Sequence, residues 1–428
     1  MRKKVLIVAF AVVALVLAGV AVAAYLRATE TPDAGIDTEL AGVSVMTATE
    51  ELSTTTEEQP VEEPEEPEEP EAKSEGPCWL SFGGNPQRTL ARENIDLGRP
   101  TQAVWGRNIG FMEYPATFCD GTLYVNNAKG TTFAIDAETG DLVWRRKVAS
   151  LMASSPAIAG PRLIVSSHDG TVTGLNRANG KVLWRVGTAG RVESSPVAVD
   201  NTAYFGSTDG RLFAVNVTSG AVRWAYDTGG RINASPSIWG NRVCITTYAG
   251  SVVCLRRSDG NELWTTYVKR DLLRYESFYA SASTDGQRLY TTSRAGKIVA
   301  LNIRSGSIVW TRSMGTTGYA TPAIADGRIF VGGFDSQLRA LRATTGSQLW
   351  SRNVGGKVLS PALVVGNLVF VSTLNGKTVG LRVADGKIVW RHKLGAYAPG
   401  IATKNRYYFS LNGFLAAYKG RLSPRGTR

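Results

Sequence analysis

Two histidines, four cysteines and three glutamates set beside arginines are the residues of this chain whose types could do chemistry. His168 lies in SSHDGTV and His392 just after Trp390, and neither has a partner at metal-ligand spacing. No Ser-His-Asp pattern, phosphate-binding loop or Cys-x-x-Cys pair is present. Glu113, Glu193 and Glu276 each precede a short apolar run, with Arg191, Arg231, Arg274 and Lys357 in the same links. Converging carboxylates can move protons or hold a cation. With arginines so close, ion pairs are the simpler expectation. The expectation is therefore a protein that is not an enzyme, with no catalytic, cofactor-binding or metal-binding residue.

What positions these groups is a repeat. Tryptophan recurs at 105, 144, 184, 224, 264, 310, 350 and 390, at intervals of 39, 40, 40, 40, 46, 40 and 40 residues. From Trp144 onward each closes a motif in which a glycine stands four residues earlier, as in DAETGDLVW and RVADGKIVW. That glycine suits a hairpin turn with positive φ. A second turn (SSHDGTV, GSTDGRL) and a Ser-Pro or Thr-Pro element (SSPAIAG, ATPAIAD) lie upstream. Residues 322–352 then read as four short strands, PAIA, RIFVGG, QLRAL and SQLWSR. A period near 40 with four strands predicts an all-β propeller, with each tryptophan buried between blades. Three strands without a closing tryptophan follow Trp390, and a lone tryptophan strand, 101–110, precedes the first full repeat. Together they predict an eighth blade closed three-plus-one, which removes the exposed sheet edges.

The motif resembles the pyrroloquinoline-quinone (PQQ) repeat, close to Ala-x-Asp-x-x-Thr-Gly-x-x-x-Trp, which AIDAETGDLVW (134–144) nearly matches. CWLSFGGNPQRT (78–89) is similar to the segment that opens many such domains. The resemblance implies the eight-bladed fold over 77–428. It implies the cofactor far less, because the motif aspartate survives only as Asp136. Quinoprotein dehydrogenases of the family set a disulfide of adjacent cysteines against the quinone, with a calcium site and an aspartate base, and this chain has no adjacent cysteines. The expectation is no PQQ. Within the family the chain looks most like non-enzymatic scaffold members such as the propeller lipoprotein of the outer-membrane β-barrel assembly machine.

Ahead of the repeats stand MRKK (1–4), an uncharged run of 22 residues (5–26) and an acidic stretch (27–76). The run would span about 33 Å as a helix, enough for a bilayer, and the basic start predicts a cytoplasmic stub and a transmembrane signal anchor. Cleavage after Ala21-Val22-Ala23, leaving a secreted or periplasmic protein, is the alternative. Residues 27–76 hold 16 acidic and 2 basic residues in runs such as EEPEEPEEP, predicting a disordered linker. Residues 77–428 hold 43 Lys and Arg against 20 Asp and Glu. This basic propeller outside the membrane predicts acidic proteins or an anionic cell-wall polymer as partners, and not nucleic acid. Cys244 and Cys254 flank one hairpin turn, where they either pair or fill apolar positions. Cys78 and Cys119 could staple the opening segment to the first blade.

The long interval between Trp264 and Trp310 places six extra residues in TTYVKRDLLRYESFYASAS (265–283). It links an outer strand to the next inner strand on the face of the channel mouth. Lys269, Arg270 and Arg274 alternate there with Tyr275, Phe278 and Tyr279, a composition suited to an interface. A local insertion whose aromatics pack on themselves is the competing reading. Tyr319, Tyr397 and Met152 come from equivalent links, and Arg191, Arg231 and Lys357 complete the expected surface. The sequence thus predicts a membrane-anchored scaffold for a protein partner of the cell envelope. A small-ligand oxidoreductase at the channel mouth and a polymer binder are the alternatives.

Overall fold

The computed structural model describes residues 78–421 apart from 394, 396–398 and 412. The anchor at 5–26, the acidic stretch 27–76 and Tyr397 lie outside the described residues. Strands and turns account for the described chain, and no helix in it is long and apolar enough to cross a membrane.

Eight sheets follow one another around a ring, each of four antiparallel strands meandering outward, one sheet carrying a short extra strand. Blades 1 to 7 span 117–147, 157–187, 197–227, 237–267, 283–313, 323–353 and 363–392. The first strands of neighbouring blades stand side by side around the centre. Apolar cores lie between successive blades, so no blade buries its faces alone.

Each motif tryptophan sits opposite a small residue of the third strand: Ala134 for Trp144, Gly174 for Trp184, Ala214 for Trp224, Cys254 for Trp264. Its indole N–H donates to a carbonyl of the following blade, Trp224 to Arg257 at 3.0 Å and Trp310 to Ala343 at 2.9 Å. Its ring covers that blade's motif glycine. At Gly260, φ is +78° and an added Cβ would lie 2.7 Å from the Trp224 ring. The glycine four residues ahead of one tryptophan is thus required by the tryptophan of the blade before. Gly260→Ala is expected to cost about 2–4 kcal/mol, combining left-handed backbone with overpacking. Gly121→Ala, at φ +74° with no atom within 4 Å, should cost only about 1–2 kcal/mol. Urea midpoints of the two variants check the difference.

Blade 8 closes as the sequence predicts. Its first three strands are Gly400–Ala402, Tyr407–Leu411 and Phe414–Arg421, and its outer strand is Arg99–Asn108 from the other end of the chain. Trp105 faces Ala417 in the register of the other blades and packs over Gly140. Blade 8 has no chain-linked hairpin between its third and outer strands. Trp390 therefore has no following motif glycine, and it stacks on Phe409 (5.5 Å) and His392 (5.7 Å).

The structure adds an element that the repeat does not announce. Residues 79–92 run around the inside of the ring and cap its inner strands. Trp79 pairs with Phe118 of blade 1, and the carbonyls of Leu80, Pro86, Gln87, Thr89 and Leu90 accept from Ile158, Ile238, Thr284, Ile324 and Val364 of blades 2, 4, 5, 6 and 7. Ala91–Arg92 then adds a short parallel strand to blade 7. An inner strand is a sheet edge with unpaired N–H groups, and this segment satisfies them from the chain itself. Arg88 anchors it. Its fully buried guanidinium donates to the carbonyls of Phe82, Ser195 and Pro236. Burial pulls it down to about 9, still charged at neutral pH. A disulfide joins Cys78 to Cys119, fixing the start of the segment to blade 1. The second disulfide, Cys244–Cys254, bridges directly opposed residues of blade 4 inside the core under Trp264.

The Ser-Pro and Thr-Pro elements form a belt. The hydroxyl of Ser195 accepts the N–H of Ser155, that of Ser235 the N–H of Ser195, that of Ser281 the N–H of Ser235, and that of Thr321 the N–H of Ser281. The Ser155 hydroxyl donates to the Pro115 carbonyl at 2.7 Å. One hydroxyl per blade thus ties neighbouring inner strands together from blade 1 to blade 6.

Candidate functional site

Above the belt, the links that lead into the inner strands meet the turns between second and third strands. One backbone hydrogen bond repeats there. His168 donates to Leu151, Thr208 to Arg191, Tyr248 to Arg231, Arg294 to Ser277, Phe334 to Thr317 and Leu374 to Lys357. Links and turns therefore form one rim around the channel mouth, as expected, and Arg191, Arg231 and Lys357 are exposed on it.

On blades 4 to 6 the rim is aromatic. Tyr248, Tyr279, Tyr319 and Phe334 form a row with centroids 6.3, 5.7 and 5.5 Å apart. Arg231 stands 5.7 Å over the first ring and Lys357 5.5 Å over the last. Tyr279 and Tyr319 were expected here. Tyr248 and Phe334 come from the opposing turns, and only the periodic alignment of those turns with the links could have found them.

The three carboxylates do not converge on one group, nor do they pair with the nearby arginines. Glu276, 2% exposed, pairs with Lys297 at 3.2 Å. Glu193 accepts from Asn233 Nδ2 at 2.6 Å and from the Tyr279 hydroxyl at 3.3 Å. Burial, and then the Glu193 charge, push Glu113 up to about 7. The folded protein then keeps a proton that the unfolded chain releases from about pH 4.5 upward. The stability this proton contributes is complete below pH 4.5 and lost as pH rises through 7. Glu113→Gln is expected to gain about 1–3 kcal/mol relative to wild type between acid and pH 8, partial exposure reducing the full linkage value. Paired thermal melts at the two pH values measure this; parallel pH profiles would contradict it. Burial pulls His168, which feels the Glu193 and Arg191 charges, below its ordinary value.

The six-residue insertion folds into a small hairpin. Lys269 bridges Tyr275, Arg270 N–H donates to the Arg274 carbonyl, and Asp271 accepts from the N–H groups of Leu273 and Arg274. Arg274 also pairs with Asp271 at 2.9 Å. Leu272 and Leu273 form the tip and are 96% and 93% exposed. Phe278 corrects the sequence reading: it is wholly buried in the core between blades 4 and 5 and anchors the hairpin from beneath. Met152 is buried likewise. The insertion shows local packing and exposed surface together, split within ten residues.

The profile of a family described as outer membrane protein assembly factor BamB matches residues 95–272 and 249–404. The chain belongs to this BamB-like PQQ-repeat family. The structure of BamB from Moraxella catarrhalis is similar, with a TM-score of 0.62 at 18% identity over 76% of this chain and 99% of that one. A europium-containing methanol dehydrogenase gives 0.67 at 14% identity, covering 79% and 88%. A quinohemoprotein alcohol dehydrogenase from Comamonas testosteroni gives 0.69 at 13% identity, covering 83% and 82%. At these identities the likeness establishes the fold alone. No curated protein sequence matches the chain.

The residues of this BamB-like propeller do not fit a PQQ–calcium centre. Its disulfides join cysteines 41 and 10 residues apart, one holding the leading segment and one inside a blade core. Among the described residues the grouped metal-ligand candidates are Cys78, Cys119 and Asp120, and both sulfurs are already committed to the disulfide. Of the mouth glutamates, Glu276 is engaged with Lys297 and Glu193 with Asn233 and Tyr279.

Proposed function

We propose that this BamB-like propeller is a scaffold that docks a protein partner of the cell envelope, held outside the cytoplasmic membrane by residues 5–26. The observation that carries the reading is the hairpin tip. Two leucines stand almost fully in water on a stem braced by Asp271 and rooted by Phe278. Fold stability offers no reason to expose them. Burying both at an interface would contribute roughly 3–6 kcal/mol before the costs of association. Lys269, Arg270 and Arg274 at its base suit a partner with acidic groups around an apolar pocket. The dehydrogenase neighbours carry less weight, because the donor set for their cofactor is not assembled here.

A photo-crosslinking residue placed at 272 in the native host, compared with one at Arg162 beside a turn at the other end of blade 2, tests the proposal. A discrete protein adduct at 272 alone is expected. Leu272→Ser with Leu273→Ser should abolish capture of that partner while the melting temperature stays unchanged, since both side chains are exposed. Equal adducts at both positions, or capture indifferent to the leucines, would overturn the scaffold reading at this face.

A further inference from the structure

The aromatic row on the rim is separate from the hairpin tip and has its own chemistry. Four rings, Tyr248, Tyr279, Tyr319 and Phe334, follow one another with neighbours 5.5–6.3 Å apart, the first two pairs edge to face and the last tilted at 47°. All four are half-buried. Arg231 and Lys357 flank the row, and Arg294 rises from the turn between, close enough for its charge to act on the Tyr248 hydroxyl. Among the described residues none of these three cations has a carboxylate within ion-pair distance. Cations elsewhere on the propeller commonly do, as in Arg177–Asp120, Arg257–Asp200 and Arg256–Asp259. The rim thus combines a stacking surface with unspent positive charge.

Aromatic rows of this kind select the polyproline II conformation, whose prolines present a flat apolar edge. That helix has three residues per turn and rises ~3.1 Å per residue, so prolines three apart line one edge at ~9 Å intervals. The two other edges of the ligand would face the flanking cations and should carry carboxylates.

We infer that the row Tyr248–Tyr279–Tyr319–Phe334 with Arg231, Arg294 and Lys357 is a docking groove for an acidic polyproline II strand of Glu-Glu-Pro type. A segment of that composition occurs in this chain's own sequence. EEPEEPEEPE, residues 62–71, has prolines at 64, 67 and 70 and glutamate at every other position. Its seven carboxylates match the groove's three cations in sign, and three prolines spaced three apart would share one edge of a polyproline II helix. The inference does not depend on the hairpin tip, and either can fail while the other stands.

A fluorescent peptide of residues 61–72, titrated against the full chain with 62–71 replaced by a Gly-Ser linker of equal length, tests it. Saturable binding that weakens steeply with salt is expected. A peptide with all three prolines changed to alanine keeps the charge and should bind at least about tenfold more weakly, a difference that bulk electrostatics would not produce. Arg231→Glu with Lys357→Glu should abolish binding, and Tyr319→Ser should weaken it several-fold, while circular dichroism and melting temperature remain those of the parent. No saturable binding, equal binding of the alanine peptide, or equal binding to the Arg231/Lys357 variant would each overturn the inference. Displacement by an anionic polysaccharide at equal charge concentration would do the same.

Discussion

Replacing the strand Arg99–Asn108 by a Gly-Ser linker of equal length is expected to abolish cooperative unfolding, leaving a chain that binds hydrophobic dyes and associates. This strand gives blade 8 its outer edge, pairing from Arg99 with Arg421 to Asn108 with Phe414. Without it, Phe414–Arg421 becomes an unpaired edge, and Leu415 and Ala417 lose the cover of Trp105. The damage spreads to blade 1, because the Trp105 indole donates to Ala137 at 3.1 Å, packs over Gly140 and meets Tyr408 at 6.0 Å. In a ring each blade is buried by two neighbours, so one open join exposes two faces. Trp105→Ala alone should cost about 3–5 kcal/mol. Transplanting this strand behind Arg421 on a short turn, with the Gly-Ser linker still joining residue 98 to Ile109, should restore a cooperative melt, since the same pairs form within one hairpin and residues 79–92 stay in place. If the linker variant melts like the parent in calorimetry, closure by the two chain ends is not what holds the ring.

The second large effect falls on one side chain. Arg88→Met is expected to destabilise the propeller by about 3–5 kcal/mol, because three buried carbonyls lose a charge-assisted donor at once. These carbonyls belong to Phe82 in the leading segment and to Ser195 and Pro236 on blades 3 and 4. Arg88→Lys should recover less than half of the loss, since an ammonium cannot reach three acceptors in the plane a guanidinium spans. Urea midpoints at constant m-value give the comparison. A near-neutral Arg88→Met would mean that the backbone pairing of residues 79–92 holds the segment by itself.

The two cases differ in how visible they were in the sequence. The closing strand could be read from Trp105, which kept the register of the other seven tryptophans although its blade-mates lie three hundred residues away. Arg88 could not. Its acceptors are Phe82 beside it and two carbonyls more than a hundred residues away, and nothing local to NPQRT signals burial. Likewise Tyr279 and Phe278 are neighbours of similar type, yet one faces the mouth and the other the core. Composition placed both on the surface; the path of the link, pinned by the Phe278–Ser293 bridge, turned one ring to the core and the next to the mouth.

The amino-acid sequence by itself determined the all-β propeller, its eight blades, the three-plus-one closure and the link that departs from the period. Those follow from periodicity, which reports local turn chemistry and one tryptophan per blade. Only the tertiary structure decided that residues 79–92 line the inside of the ring, that hydroxyls tie the blades into a belt, and that rings from separate links and turns form one row. The physical reason is that those partners are distant in the chain. A repeat states what each blade contains, whereas which surfaces meet across the centre is settled when the ring closes.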